Sequence, residues 1–194
     1  GGGIVYNVDE NFIYIISTDA IGRYSNAQNI QYAWGVQGAN QNAGVSNVQT
    51  GINGIPKIGD GQQQLVNMTN ADSNAPGYLG NFMSNFSHNG YTDWYIPTVT
   101  EIHSADTNLK IFNPDLSTNP LFTNLNNSLG LDQVTGRLLT STEASPPYIN
   151  YFINYTSGSV TGGKEEKTLL SPIVTTFLPV RKVAKGTQNY VYDE

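Results

Sequence analysis

His88 and His103 are the only histidines of the chain, and no cysteine accompanies them. Neither has a second ligand at helical i, i+4 spacing, so a zinc site is not expected. A serine nucleophile needs a histidine base and an orienting acid, and no Gly-x-Ser-x-Gly elbow surrounds any serine. Asp60, Asp93, Asp106 and Glu143 supply carboxylates of the kind that cleave glycosides, but nothing in their spacing pairs them. The chain is therefore not expected to be an enzyme, and no cofactor is required. Calcium takes carboxylate and amide oxygens, which makes Asp60, Asp72 and Asp93, with Asn74, its candidate ligands, although no EF-hand loop is present.

Neutral sugars ask for something else: aromatic faces against their C–H surfaces, and amides or carboxylates for their hydroxyls. The chain has 12 tyrosines and is rich in Asn and Gln, an inventory that equally suits protein-binding loops. Asn74, Tyr78, Tyr91 and Asp93 are the expected ligand contacts, whereas Trp34 and Trp94 are expected in the core. Arg181 and Glu143 are expected on neighbouring strands, where a bidentate pair would lock the fold without taking part in chemistry.

These residues must be positioned by the stretch from Asn89 to Ile102, where several local signals agree. Asn89-Gly90 is a turn dipeptide that tolerates positive φ, and Trp94-Tyr95-Ile96 suits a half-buried strand ended by Pro97. Thr98-Val99-Thr100-Glu101 reads as a capping box, opening a helix with Ile102, Ala105 and Leu109 on one face. The plain alternative for Asp93, Trp94 and Glu101 is structural: a turn carboxylate, a core aromatic and a cap.

Elsewhere, Ile4 to Ile16 reads as a hairpin around Asp9-Glu10-Asn11. Residues 18–61 are rich in Gly, Asn and Gln, and a stretch so poor in pattern is a place for ligand contacts. Helices are expected from Gln62 to Met68 and from Leu79 to Phe86, the latter with Leu79, Phe82, Met83 and Phe86 facing the core. Phe112 to Leu129 reads as irregular. Strands are expected at Arg137 to Glu143, Tyr148 to Tyr155, Val160 to Thr168 and Ile173 to Val183, and Ala184 to Glu194 is a polar tail. Residues 1–183 thus form one domain.

Charged residues make up only 12% of the chain, against about 25% in ordinary globular domains, which suits a loop-rich domain on a cell surface or virus particle. The net charge of −6 argues against nucleic acid and polyanions as ligands. No apolar run reaches the ~20 residues of a membrane span, and the Gly1-Gly2-Gly3 start lacks the regions of a signal peptide. The sequence is expected to be a mature piece of something longer.

Together, Gly2-Gly3-Ile4-Val5-Tyr6 with Val8-Asp9, Trp34-Gly35, Gly59, Ala71, Gly90 with Asp93-Trp94-Tyr95-Ile96-Pro97, Glu101-Ile102, Leu139-Thr140-Ser141-Thr142-Glu143 and Val180-Arg181-Lys182-Val183 resemble a known family. It is the C-terminal domain family of bacterial collagen-like adhesins, the Lcl C-terminal domain, and the resemblance covers residues 2–183. It implies an α+β, C-type-lectin-like fold related to formylglycine-generating enzymes. In that fold the first and last strands pair, two main helices flank an antiparallel sheet, and long loops gather on one side, which would bring the calcium candidates together. It further implies an extracellular, homotrimeric tip of a surface adhesin or phage tail fibre that binds a cell-surface glycan or protein receptor without entering the membrane. The alternative is an assembly module for trimerisation or attachment to a protein partner. The acidity of this chain speaks against the sulfated glycosaminoglycans associated with the family, and the lack of cysteine excludes formylglycine-generating activity.

Overall fold

The first hairpin forms because Ile4-Val5-Tyr6-Asn7-Val8 and Phe12-Ile13-Tyr14-Ile15-Ile16 both favour strands and Asp9 builds the turn between them. Asp9 Oδ1 accepts from the amides of Asn11 and Phe12, each at 2.8 Å, and Oδ2 accepts from the Tyr14 hydroxyl at 2.6 Å. The Tyr14 hydrogen bond, then the amides, hold the Asp9 carboxyl below the usual carboxylate range. The resulting strands β1 (Ile4–Val8) and β2 (Phe12–Ile16) pair antiparallel.

The computed structural model describes residues 2–19, 21–22, 24–25, 30–35, 56–109, 111, 136–145, 149–156, 159–166 and 176–186. The glycine-rich residues 36–55, the irregular segment 112–135 and the tail 187–194 lie outside the described residues. After the hairpin come β3 (Ile21–Gly22), β4 (Tyr24–Ser25), β5 (Ile30–Gln31), α1 (Asp60–Ala71), α2 (Leu79–Ser84), α3 (Val99–Leu109), β6 (Gly136–Ser145), β7 (Ile149–Thr156), β8 (Ser159–Glu166), β9 (Thr176–Phe177) and β10 (Val180–Ala184). One sheet has the order β1-β2-β10, a second β3-β9-β6-β7-β8, and β4 pairs with β5. Pairing is antiparallel apart from β6 with β9. The fold is α+β. Among the described residues, no helix is long and apolar enough to cross a membrane.

The segment from Trp94 to Thr98 stitches the two larger sheets together. Tyr95 exchanges backbone hydrogen bonds with Val180 of β10 at 2.9 and 3.0 Å, while Pro97 O accepts from Ser141 N of β6 at 2.8 Å. Alternate residues along this layer point to opposite faces. Tyr95, Leu138, Tyr14 and Ile16 join Ile102 and Ala105 of α3 in one core cluster. Trp94, Ile96, Leu139 and Ile15 join Met68 of α1 and Leu79 and Met83 of α2 in the other. The helices therefore cover both faces of the strand layer, which leaves the ends of the strands and their turns to meet solvent.

The capping box forms and does more than end a helix. Glu101 N donates to Thr98 Oγ1 at 3.2 Å, and Glu101 Oε2 accepts from Thr98 N at 2.7 Å. Oε1 also takes the Tyr95 hydroxyl at 2.8 Å and Gly59 N at 2.9 Å, so one buried carboxylate joins the start of α3 to the start of α1. Gly59 sits there at φ 96°, a left-handed conformation that glycine adopts without a Cβ penalty. Burial pushes the Glu101 carboxyl above its usual range despite these donors, and burial together with the Glu101 charge pushes the Tyr95 hydroxyl well up.

Several expectations need correction. The last strand closes on the first hairpin, but its partner is β2, and β1 lies on the far side of β2. The helix expected from Leu79 to Phe86 is shorter, Leu79–Ser84, and leaves α1 and α3 as the two long helices described. Trp94-Tyr95-Ile96 makes a single bridge instead of a strand, since Pro97 has no amide to extend the ladder. Pro179 likewise divides the expected strand from Ile173 to Val183 into β9 and β10. Arg181 and Glu143 are not on neighbouring strands: β10 and β6 belong to different sheets.

Candidate functional site

Asn89 at φ 52° and Gly90 at φ 80° make the tight, right-twisted turn that an Asn-Gly pair favours. His88 and Tyr91 flank it and exchange backbone hydrogen bonds at 3.0 and 3.1 Å. The turn lifts the Tyr91 ring out to 37% exposure. Beneath the ring lies Arg181, with its guanidinium carbon 3.7 Å from the ring centroid and 5.4 Å from that of Trp94. Asp93 then grips the guanidinium in bidentate fashion, Nε to Oδ1 at 2.5 Å and Nη2 to Oδ2 at 2.8 Å. Arg181 is buried, whereas the Asp93 side chain is 43% exposed. A charge held in place this way orients the ring above it.

The support continues inward as a row of rings. Tyr32 meets Phe82 at 4.7 Å, Phe82 meets Phe86 at 5.5 Å, Phe86 stacks on His88 at 6.0 Å, and His88 meets the Trp94 ring edge-on at 5.6 Å. Trp94 Nε1 donates to His88 O at 2.9 Å, which ties the turn to the buried indole. Gly2 closes the underside. A Cβ there would stand 3.1 Å from Asn89 Cβ, 3.2 Å from Tyr91 Cδ2 and 3.4 Å from Trp94 Cζ2.

Three residues that the sequence did not associate also meet here. His88 Nε2 lies 3.1 Å from Ser17 Oγ, 3.3 Å from Asp19 Oδ2 and 3.0 Å from Asn89 Nδ2. Serine, histidine and aspartate are the ingredients of nucleophilic catalysis, but a relay needs the hydroxyl and the acid on opposite ring nitrogens, and here both face Nε2. Ser17 is moreover fully buried.

Of the four expected ligand contacts, Tyr91 and Asp93 come together through Arg181. Asn74 and Tyr78 belong instead to the connection between α1 and α2. Asn74 O and Oδ1 accept from Asn81 Nδ2 at 2.9 and 3.1 Å, and Tyr78 precedes α2 and bridges to Ala33. Trp34 and Trp94 are both buried, and Trp34 Nε1 donates to Thr140 O at 2.6 Å. Arg181, assigned a purely structural role from sequence, touches the exposed ring itself and also holds Asp93; Glu143, like Arg181, is buried.

The calcium candidates are scattered. Asp60 Oδ2 accepts from Lys57 N at 2.7 Å as part of the start of α1, Asp93 is on Arg181, and Asp72 is buried after α1, where desolvation raises its carboxyl above the usual range. Among the described residues, no three His, Asp or Glu side chains converge on one point. No family model matches the sequence, and neither a curated protein nor a solved structure is similar to it.

Proposed function

We propose that this chain is a non-enzymatic receptor-binding domain of C-type-lectin-like type, the extracellular, homotrimeric tip of a surface adhesin or phage fibre, and that it holds a neutral cell-surface glycan at Tyr91. The observation that carries the reading is the exposed Tyr91 ring, fixed from below by Arg181 and from behind by the Asn89-Gly90 turn. A ring held in one orientation binds at lower entropic cost than a mobile one. Beside it, the exposed edge of Asp93 and the side-chain oxygen of exposed Asn89 offer acceptors for sugar hydroxyls. The guanidinium under the ring is already committed to Asp93, so a sialylated or sulfated glycan would meet carboxylate before cation.

The test is a glycan-array screen of the purified protein with calcium and again with EDTA, alongside light scattering for its mass. Binding of a neutral glycan by a trimer, abolished by Tyr91→Ala, supports the reading. Loss in EDTA would promote the scattered carboxylates to calcium ligands. Silence from a folded trimer in both buffers would overturn glycan recognition in favour of an assembly role, and a folded monomer would count against the fibre tip.

A further inference from the structure

The partners of His88 Nε2 cannot all be satisfied by one state of the ring. One imidazole nitrogen has either a single lone pair or a single hydrogen. Asn89 Nδ2, 3.0 Å away, can only donate, and its other hydrogen goes to Gly2 O at 3.0 Å. Asp19 Oδ2, 3.3 Å away, can only accept while ionised. Ser17 Oγ gives its hydrogen to Asp19 O and takes one from Asp19 N, both at 3.0 Å, and so presents a lone pair to the imidazole. With Nε2 bare, the ring satisfies Asn89 and faces two acceptors. With Nε2 protonated, it satisfies Asp19 and Ser17 and faces the N–H of Asn89. Rotating the Asn89 amide does not help, because its oxygen would then confront Gly2 O.

We propose that His88 is a proton-operated latch on the Tyr91 turn: the neutral ring, with its hydrogen on Nδ1 and Nε2 bare, holds Asn89 against Gly2, and the doubly protonated ring turns to Asp19 and Ser17 and lets Asn89 go. The charged groups around it are Asp19, from the segment after β2, and, beyond the Trp94 ring, Arg181 of β10 with its partner Asp93. Phe86 stacks on the imidazole and brings no charge. Gly2 lies between Asn89 Cβ and the edge of the Tyr91 ring, so releasing the bond from Asn89 to Gly2 O loosens the support of the exposed aromatic. On the reading that Tyr91 binds a glycan, on which this consequence rests, affinity falls as the medium is acidified through the His88 midpoint.

The latch itself is tested without any ligand, by NMR titration of the full chain between about pH 5 and pH 8, the window in which histidine titrates. His103 on the exposed face of α3 is the internal control. The expected result is that the Asn89 side-chain amide and the Tyr91 ring signals move with the midpoint of His88 and not with that of His103. In His88→Gln that movement is lost, and in Asp19→Asn, where the protonated ring has no carboxylate to turn to, it is weakened. A His88 that titrates while Asn89 and Tyr91 stay still, or one that does not titrate in this window, overturns the proposal. The binding arm uses the neutral glycans immobilised on the array, with retention expected to weaken about fivefold or more across the titration. Silence on the array defeats the glycan reading alone, because the NMR result decides the latch independently.

Discussion

A Cβ built on Gly61, near the start of α1, would stand 2.6 Å from Glu101 Oε2 and 2.6 Å from Tyr95 Cε2. Replacing a helical glycine with alanine ordinarily stabilises by about 1 kcal/mol. Here the methyl group would press on the buried carboxylate that ties Gly59, Tyr95 and Thr98 together. Gly61→Ala is expected to destabilise by about 1–3 kcal/mol, the usual cost of overpacking. Urea denaturation measures it, and a gain in stability would show that Glu101 can move aside.

Glu101 gives acid behaviour a definite sign. Its folded carboxyl lies above the usual range, so the folded chain holds that proton more tightly than the unfolded one. In the window from the ordinary carboxylate range up to the raised value, its contribution to stability falls as pH rises. Asp9 works the other way: its carboxyl is lowered, so its contribution is present above the ordinary range and is lost as pH falls through the depressed value. Urea midpoints for wild type and Glu101→Gln at several pH values should show a weaker fall in the variant, where, among the described residues, only the raised carboxyl of Asp72 still contributes in that direction. The variant also lacks one acceptor oxygen for Thr98, Gly59 and Tyr95, and should be less stable by on the order of 1–3 kcal/mol.

Breaking the clamp from the Asp93 side should cost less than a buried ion pair would. One-sided removal of a fully buried pair costs about 3–5 kcal/mol, but Asp93 is 43% exposed and water replaces part of what it provides. Asp93→Ala is expected to lower stability by roughly 1–2 kcal/mol. Arg181→Lys should lose the second hydrogen bond and the flat contact with Tyr91, so that its Tyr91 ring signals become those of a mobile side chain. Thermal melts together with Tyr91 linewidths check both.

Tyr91→Ala separates function from stability. The ring is exposed on its outer side, so its loss should shift the melting temperature little while abolishing retention on neutral glycans. Unchanged retention would remove Tyr91 from the binding site.

What was legible in the sequence is what local chemistry determines. The hairpin from Ile4 to Ile16 and the capping box from Thr98 to Glu101 are set within a few residues, and both form as read. The Asn89-Gly90 turn was equally local. The contact of Asp93 with Arg181 was not: 88 residues separate them, and only the way the 94–98 segment lies between β10 and β6 puts Asp93 beside the guanidinium. His88 with Ser17 and Asp19 escaped notice for the same reason, because 71 residues separate Ser17 from the histidine and no spacing rule spans them. The dipeptide did carry one usable hint, since a two-residue turn at Asn89-Gly90 must set His88 opposite Tyr91.

Gly2 packs tightly against Asn89, Tyr91 and Trp94 at φ 79°, so a side chain there would press on all three. Whatever is joined upstream of it, an affinity tag, a biotin linker or a carrier protein, leaves the fold beside the exposed ring. A graft at that end is therefore a close neighbour of the Tyr91 surface, and the length of its linker sets how much of that surface stays open.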